Sequence, residues 1–382
     1  MNASGTMKVM TIAGTRPEWI RQACIIRSLE EVFRHIIVDT GQNYDYELSE
    51  QFFEDLDIRK PDYFLSAAGE TASETIGRVI IAADRVIRQE RPDAIVVLGD
   101  TNSCVAAIAG RKNRVPVYHL EAGNRCFDFN VPEELNRRLI DHIADFNLCY
   151  TEQARRNLLS EGLPHRRIFV VGSPMNEVLT TFRDRIDASD ILDELSLTPN
   201  GYLIASFHRE ENVDNPRHLN AIVDALIELS ERHRVPTIIS THPRARQRLE
   251  AIDRIAADER LRFMKPFGFH DYNKLQLNAL CAISDSGTIS EEAALLSFPA
   301  VTIRNAMERP EALDTGSIII TGLDPDTVVA AVDRAISDFR SGHLPPVPQD
   351  YTVTNTAQRV VRLVLGTAKL NARWHGLDPI HQ

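Results

Sequence analysis

Short runs of β-branched and apolar residues, ending in Gly, Ser, Asp or Thr, recur along this chain between longer amphipathic stretches. Runs that are apolar throughout, rather than alternating, read as strands buried on both faces, and the stretches between them as helices covering a parallel sheet. In the first half the strands are read at KVMTIAG (8–14), HIIVDTG (35–41), AIVVLGD (94–100), VPVYHLEAG (115–123), FNLCYT (146–151) and RIFVVGS (167–173). The second half repeats the plan at YLIASFHR (202–209), TIISTH (237–242), RFMKP (262–266), CAISDSG (281–287), PAVTIR (299–304) and SIIITG (317–322). The order predicts an α/β protein of two Rossmann-like, doubly wound sheets.

Two such sheets also suit the length, because 382 residues exceed what one hydrophobic core usually serves. Helical NEVLTTFRDRI leads into LSLTPNGY, whose Thr-Pro-Asn-Gly is loop chemistry, so the boundary is expected near 174–200. The expected domains are 1–174 and 175–354. HLPPVPQD precedes a final helix, about 355–370, expected to cross back onto the first domain.

A net charge of −11 argues against affinity for nucleic-acid backbones or anionic membranes, so any phosphate site must be a focal cationic cluster. The five cysteines are scattered, without CxxC or zinc-ligand spacing, and are expected as reduced thiols of a cytoplasmic protein. The N-terminus lacks a signal-peptide pattern and no apolar run approaches the ~20 residues that span a bilayer.

In open parallel sheets, ligands bind beyond the carboxyl ends of strands, and two sheets facing each other would form a cleft. GTRPEWIRQ (14–22) opens a helix there, where free amides would favour an anion and Arg16 could contact phosphate. It has neither dinucleotide-fingerprint nor Walker spacing. SDSGTISEEAA (284–294) offers Ser286 and Gly287 at a second helix start to a diphosphate, and Glu291 or Glu292 to sugar hydroxyls. A capped helix with acidic residues at its positive end reads the same way. SFHREENV (206–213) adds His208 and Arg209, and RNAMERPEAL (304–313) adds Arg304 and Arg309. Asp100 ends one strand, Glu121 the next, and Glu133 follows on the adjoining loop, so three carboxylates can converge for acid/base work on carbon. Arg125 and Arg137 could hold that loop by ion pairing. Glu133 and Glu134 also read as the start of a helix.

Together GTRPE, TGQ, GDT, HLEAG, PEELNRR, EGLPHRRIFVVGSP, HREEN, DSGTISEEA and ERPEAL, in this order, resemble the non-hydrolysing UDP-N-acetylglucosamine 2-epimerases over nearly the whole chain. The resemblance implies a glycosyltransferase B type fold, a homodimer and no cofactor or metal. It implies Asp100, Glu121, Glu133 and His208 as catalytic groups, and Arg16, Arg137, Ser286, Gly287, Glu292 and Arg309 as contacts of the UDP-sugar. The implied reaction removes the C2 proton as UDP departs, giving a 2-acetamidoglucal, then reverses on the other face to turn UDP-N-acetylglucosamine into UDP-N-acetylmannosamine. TGQNYDYEL (40–48), Thr288 in place of a second Gly, and a shorter stretch between Glu121 and Glu133 depart from better-known members. The wording is similar to the branch acting on 6-deoxy sugars, as in UDP-N-acetyl-L-fucosamine synthesis. Tyr44, Asp45 and Tyr46, after Gln42, are expected to abolish activation by a second UDP-N-acetylglucosamine, whereas Gln42, Arg209 and His242 would retain it. A glycosyltransferase would instead need an acceptor, a hydrolysing epimerase would release free sugar, and a silent UDP-sugar sensor would not need the carboxylates.

Overall fold

The computed structural model describes residues 7–41, 52–241, 248–249 and 259–374. Gln42, Tyr44, Asp45, Tyr46 and His242, on which the expectation about activation turned, lie outside the described residues. The chain divides into two compact units, Met1–Thr181 with Gln349–Gln382, and Phe182–Pro348.

The first unit contains β1 (Lys8–Ala13), β2 (Arg34–Asp39), β3 (Tyr63–Phe64), β4 (Ala94–Leu98), β5 (Val117–Leu120), β6 (Phe146–Cys149) and β7 (Ile168–Val170). They form one parallel sheet in the order β3-β2-β1-β4-β5-β6-β7. Its helices are α1 (Arg16–Val32), α2 (Ala72–Glu90), α3 (Ala106–Lys112), α4 (Pro132–Ile143), α5 (Glu152–Ser160) and α6 (Met175–Thr181). Every residue of β4 is buried, as a strand covered on both faces requires. α2 turns Val79, Ala83, Val86 and Ile87 inward at helical spacing, and the Thr71 side chain caps its first turn by accepting from Glu74 N. With Met10, Ile12, Ile95, Val97 and Val117 these residues form one core.

A closing helix, Thr356–Trp374, packs on α1 and completes this unit. Val360, Val361 and Val364 are buried, Thr367 Oγ1 lies 2.7 Å from Tyr118 Oη, and Asn371 Nδ2 donates to Asp145 at 2.9 Å.

The second unit has β8 (Leu203–Ser206), β9 (Thr237–Ser240), β10 (Leu261–Met264), β11 (Cys281–Ser284), β12 (Ala300–Thr302) and β13 (Ile319–Ile320), parallel in the order β10-β9-β8-β11-β12-β13. Its longer helices are α7 (Pro216–His233), α8 (Phe269–Asn278), α9 (Ile289–Leu296) and α10 (Pro325–Arg340). α7 and α10 each start with Pro behind a capping side chain, Asn215 and Asp324. Leu219, Ile222, Val223, Leu226 and Leu229 of α7 meet Val328, Val329, Val332 and Ile336 of α10 in a second core.

The strand order thus reverses twice, between β1 and β4 and between β8 and β11. Chain leaving adjacent strands in opposite directions opens a crevice at such points, so residues just beyond these four carboxyl ends are where ligand chemistry belongs. Among the described residues no helix is long and apolar enough to cross a membrane.

Candidate active site

In the first unit the register pairs Leu98 of β4 with Leu120 of β5, so Asp100 and Glu121 leave the sheet side by side. Between them lies Arg137, only 2% exposed, reaching over from α4. Its guanidinium pairs with the Asp100 carboxylate, approaches Glu121 Oε1 at 3.1 Å, and donates to the Glu121 carbonyl at 2.6 Å. The other Glu121 oxygen lies 3.1 Å from Arg21 Nη1, from the buried face of α1. Asp100, Arg137, Glu121 and Arg21 therefore form one chain of alternating charges, of which Asp100 is the most accessible, its side chain 21% exposed.

Glu121 has φ 62°, in the left-handed region that a non-glycine residue enters at a cost of about 1–3 kcal/mol. The Arg137 bond to its carbonyl and the two ion pairs hold it there. Around it, the HLEAG segment is explained residue by residue. His119 places Nε2 2.7 Å from the Gly99 carbonyl and Nδ1 2.9 Å from Asp141, tying the two strand-end turns together. Gly123 has φ 82°, and a Cβ there would lie 2.3 Å from the Ala154 carbonyl oxygen. Asp141 is wholly buried. Burial alone would raise its pKa, but hydrogen bonds and charge from His119 and Arg125 prevail and hold it below the usual carboxylate range. Arg125 also grips Glu161 through Nε and Nη2, both at 2.8 Å, and so fixes the loop that runs to α4.

Glu133 stands exposed in the first turn of α4, four residues before Arg137 and on the same face. Glu134 is buried, accepting from Cys126 N at 3.0 Å and Arg138 Nε at 2.9 Å, and anchors the loop. The structure thus brings Asp100 and Glu121 together around Arg137, with Glu133 one helical turn away.

At the start of α1, sequence pointed to amides open to an anion. Two amides just ahead of the helix are taken by its own acid: Glu18 Oε2 accepts from Gly14 N at 3.0 Å, Thr15 N at 2.8 Å and Thr15 Oγ1 at 2.9 Å, and lies 3.2 Å from Ser103 Oγ. Arg16 stacks on Phe52, its guanidinium carbon 4.9 Å from the ring centroid. Burial lowers its pKa against the pull of Asp55.

In the second unit, β8 and β12 flank β11, with Ser206 paired to Ser284 and Ser284 to Thr302. His208 and Arg209 follow β8, Asp285, Ser286 and Gly287 follow β11, and Arg304 follows β12. Ser286 Oγ lies 3.0 Å from Thr288 Oγ1. The Gly287 carbonyl accepts from Arg309 Nη1 at 2.9 Å, and a Cβ on Gly287 would come within 2.6 Å of that nitrogen, so a larger residue would have to displace the guanidinium. Arg309 and Arg304 are both buried and both face Glu308, at 2.9 Å and 2.5 Å, with Arg209 at 3.9 Å. Arg309 Nε also lies 3.3 Å from Glu291. Burial works against ionising Glu308, but the three arginines hold its carboxyl well below the usual range. Glu292 is buried and accepts from Gln276 Nε2 at 3.0 Å.

Glu18, Arg21, Asp141, Glu161, Asp285 and Glu308 are charged groups of these clusters to which sequence reasoning gave no role. For Arg21 a signal existed: a cation inside the otherwise buried stretch WIRQACII.

Two Rossmann-like sheets, each bearing a charged cluster at its switch point, define the class of α/β proteins to which glycosyltransferase B type nucleotide-sugar enzymes belong. Residues 27–365 match the family described as UDP-N-acetylglucosamine 2-epimerase. The chain belongs to that family. It is similar to the structure of UDP-N-acetylglucosamine 2-epimerase from Rickettsia bellii, with 44% identity and a TM-score of 0.91 over 97% of this chain and 100% of that one. The Methanocaldococcus jannaschii UDP-GlcNAc 2-epimerase, crystallised in complex with UDP-GlcNAc and UDP, matches at 34% identity and a TM-score of 0.88 over 94% of this chain and 99% of that one. A Pseudomonas aeruginosa UDP-2,3-diacetamido-2,3-dideoxy-D-glucuronate 2-epimerase is 35% identical over 86% of this chain and 92% of its own length.

Proposed function

We propose that this protein inverts C2 of a UDP-N-acetylhexosamine without hydrolysis, converting UDP-N-acetylglucosamine to UDP-N-acetylmannosamine. The observation that carries the reading is the Asp100–Arg137–Glu121 cluster, two carboxylates held on one buried guanidinium at adjacent strand ends. A sugar C2–H is a weak acid, so its loss needs a placed carboxylate coupled to a good leaving group. One carboxylate among Asp100, Glu121 and Glu133 takes the C2 proton, the C–H electron pair becomes the C1–C2 double bond, and the C1–O bond breaks with its electrons going to UDP. A carboxylate then protonates C2 of the 2-acetamidoglucal from the other face, and UDP re-adds at C1.

In this reading Arg16, His208, Ser286, Gly287 and Arg309 hold the diphosphate, Glu292 serves the ribose, and Arg137 orients the carboxylates. Arg309 already bonds the Gly287 carbonyl, so it shapes the turn as well as supplying charge. None of the five cysteines, all among the described residues, is in a disulfide, which suits a reducing cytoplasm.

UDP-N-acetylglucosamine incubated with the protein in D2O, without acceptor or cofactor, should gain deuterium at C2 and yield the C2 epimer by NMR. Glu121→Gln keeps the shape but cannot exchange a proton, so turnover should fall roughly 10²-fold or more with UDP affinity near wild type. Absence of C2 exchange with any UDP-N-acetylhexosamine would sink the proposal. Similarity to the diacetamido-glucuronate epimerase supports a second reading in which the hexosamine carries further modification, so 6-deoxy and uronate forms belong in the same assay.

A further inference from the structure

Asp285 follows β11, is wholly buried, and has no part in the reaction written above. Its carboxylate accepts hydrogen bonds from the backbone N–H of His208 and of Arg209, both at 3.1 Å, and from Asn212 Nδ2 at 2.9 Å. Asp285 Oδ1 also stands 3.2 Å from His208 Nδ1. The sheet register explains the meeting, since Ser206 pairs with Ser284 and the next residues of both strands turn toward each other. Two of the contacts fix the backbone of the turn after β8, and the one from Asn212 holds a side chain. The fourth fixes a ring that is itself 48% exposed.

We propose that Asp285 is a positioning residue for His208, turning Nδ1–H inward so that Nε2 is the nitrogen presented to the diphosphate of a bound nucleoside diphosphate sugar. An imidazole whose Nδ1 faces a carboxylate keeps its proton there, and the nitrogen across the ring gains and loses the second one. The catalytic consequence rests on the epimerase reading; the binding consequence does not.

The charges acting on His208 are Asp285, from the turn after β11, and Arg209 and Glu211, from its own turn. Burial favours the neutral ring, but the charge and hydrogen bond of Asp285 outweigh it, and the His208 pKa is raised above its ordinary value. Asp285 stays ionised, with a pKa of about 2. Arg209 opposes the cation but is itself engaged, 3.4 Å from Glu211 and donating Nε to the Asp285 carbonyl at 3.0 Å. When cationic, His208 offers Nε2–H as a charge-assisted donor. As the C1–O bond breaks and its electron pair moves onto the β-phosphate oxygen, that hydrogen bond strengthens. The proton stays on nitrogen, and the oxygen is free to re-form the bond to C1.

The test uses the full-length protein with isotope-labelled histidine, the His208 signals being assigned by their loss in His208→Gln. In wild type, His208 should titrate above the ordinary value of about 6.5, and above that midpoint its ¹⁵N shifts should show the Nδ1–H tautomer. Asp285→Asn should lower the midpoint by about one pH unit or more and weaken UDP about tenfold at pH 7, with affinity recovering as pH is lowered. Asn212→Ala removes one hydrogen bond from Asp285 without removing its charge, and should leave the midpoint within a few tenths of a pH unit. A wild-type midpoint at or below 6.5, an Nε2–H tautomer, or an unchanged titration in folded Asp285→Asn overturns the proposal. The two wild-type readouts decide it even where Asp285→Asn fails to fold. Intact UDP binding and the expected His208 response, without C2 exchange on any UDP-sugar, would support the dyad while sinking the epimerase reading.

Discussion

Glu18 carries a carboxylate wholly inside the protein, only 1% exposed, at the first turn of α1. Burial raises its pKa to about 7, and the hydrogen bonds from Thr15 and Gly14 only partly offset that. The sign of the stability effect follows from proton counting. Between the ordinary glutamate value of 4.5 and about 7 the folded state binds more protons than the unfolded one, so stability falls as pH rises through that window and is level above it. Glu18→Gln cannot titrate but can still accept from the Gly14 and Thr15 amides. Its stability relative to wild type should therefore climb across the window, by up to about 1.4 kcal/mol per pH unit, in urea unfolding at a series of pH values. A stability difference independent of pH would show that Glu18 is ionised throughout. Glu18 also marks where sequence failed at this scale. GTRPE reads as a helix start, but not as one whose own acid takes the Gly14 and Thr15 amides. Asp285 and the partner of Arg21 were equally opaque, because the groups that give these residues meaning, His208 and Glu121, are supplied by distant turns of the chain.

Strands were the most legible elements, because a parallel strand buried on both faces leaves an unbroken apolar run. Each run read from sequence coincides with a strand, and β3 escaped because two residues, Tyr63 and Phe64, carry no period. The site was legible where sheet register alone creates it. Asp100 and Glu121 end neighbouring strands, so their meeting follows from reading β4 and β5 correctly. The guanidinium that joins them comes from α4, whose rotation no strand pattern reports. The closing helix is the element whose role can be tested most directly. Val360 and Val364 are wholly buried in the first unit, and full burial of a valine contributes about 1.5 kcal/mol or more. Val364→Asp would place an unpaired charge in that contact, a loss comparable with much of a domain's total stability of about 5–15 kcal/mol. Turnover should be lost and the first unit should unfold at lower urea, while UDP still binds, more weakly without Arg16, because Phe182–Pro348 forms its own core. Wild-type turnover in Val364→Asp would show that the helix is not needed to hold the carboxylates.

For the molecule as a whole, the surface of the first unit carries an apolar stretch that a solitary chain gains nothing by exposing. Phe127 and Phe129, on the loop before α4, are 71% and 73% exposed, and Leu135 and Leu139, one turn apart on α4, are 65% and 43% exposed. Arg138 lies against both aromatic rings, its guanidinium carbon 5.8 Å and 5.5 Å from their centroids. Clustered exposed aromatic and leucine side chains around an arginine have the composition of an interface centre rather than of ordinary surface. We propose that a second copy of the chain covers them in a homodimer. Each copy carries a net charge of −11, so long-range electrostatics oppose the association and apolar burial must drive it. Salt shortens the range of that repulsion to about 8 Å at 0.15 M ionic strength. The dimer should therefore tighten as salt is added, the reverse of an interface held by surface ion pairs. Light scattering should give a mass of twice 43.0 kDa at moderate salt, and Leu135→Asp with Leu139→Asp should return it to 43.0 kDa with folding intact. A wild-type monomer at every salt concentration, or a dimer indifferent to both aspartates, would place this surface outside any homodimer contact.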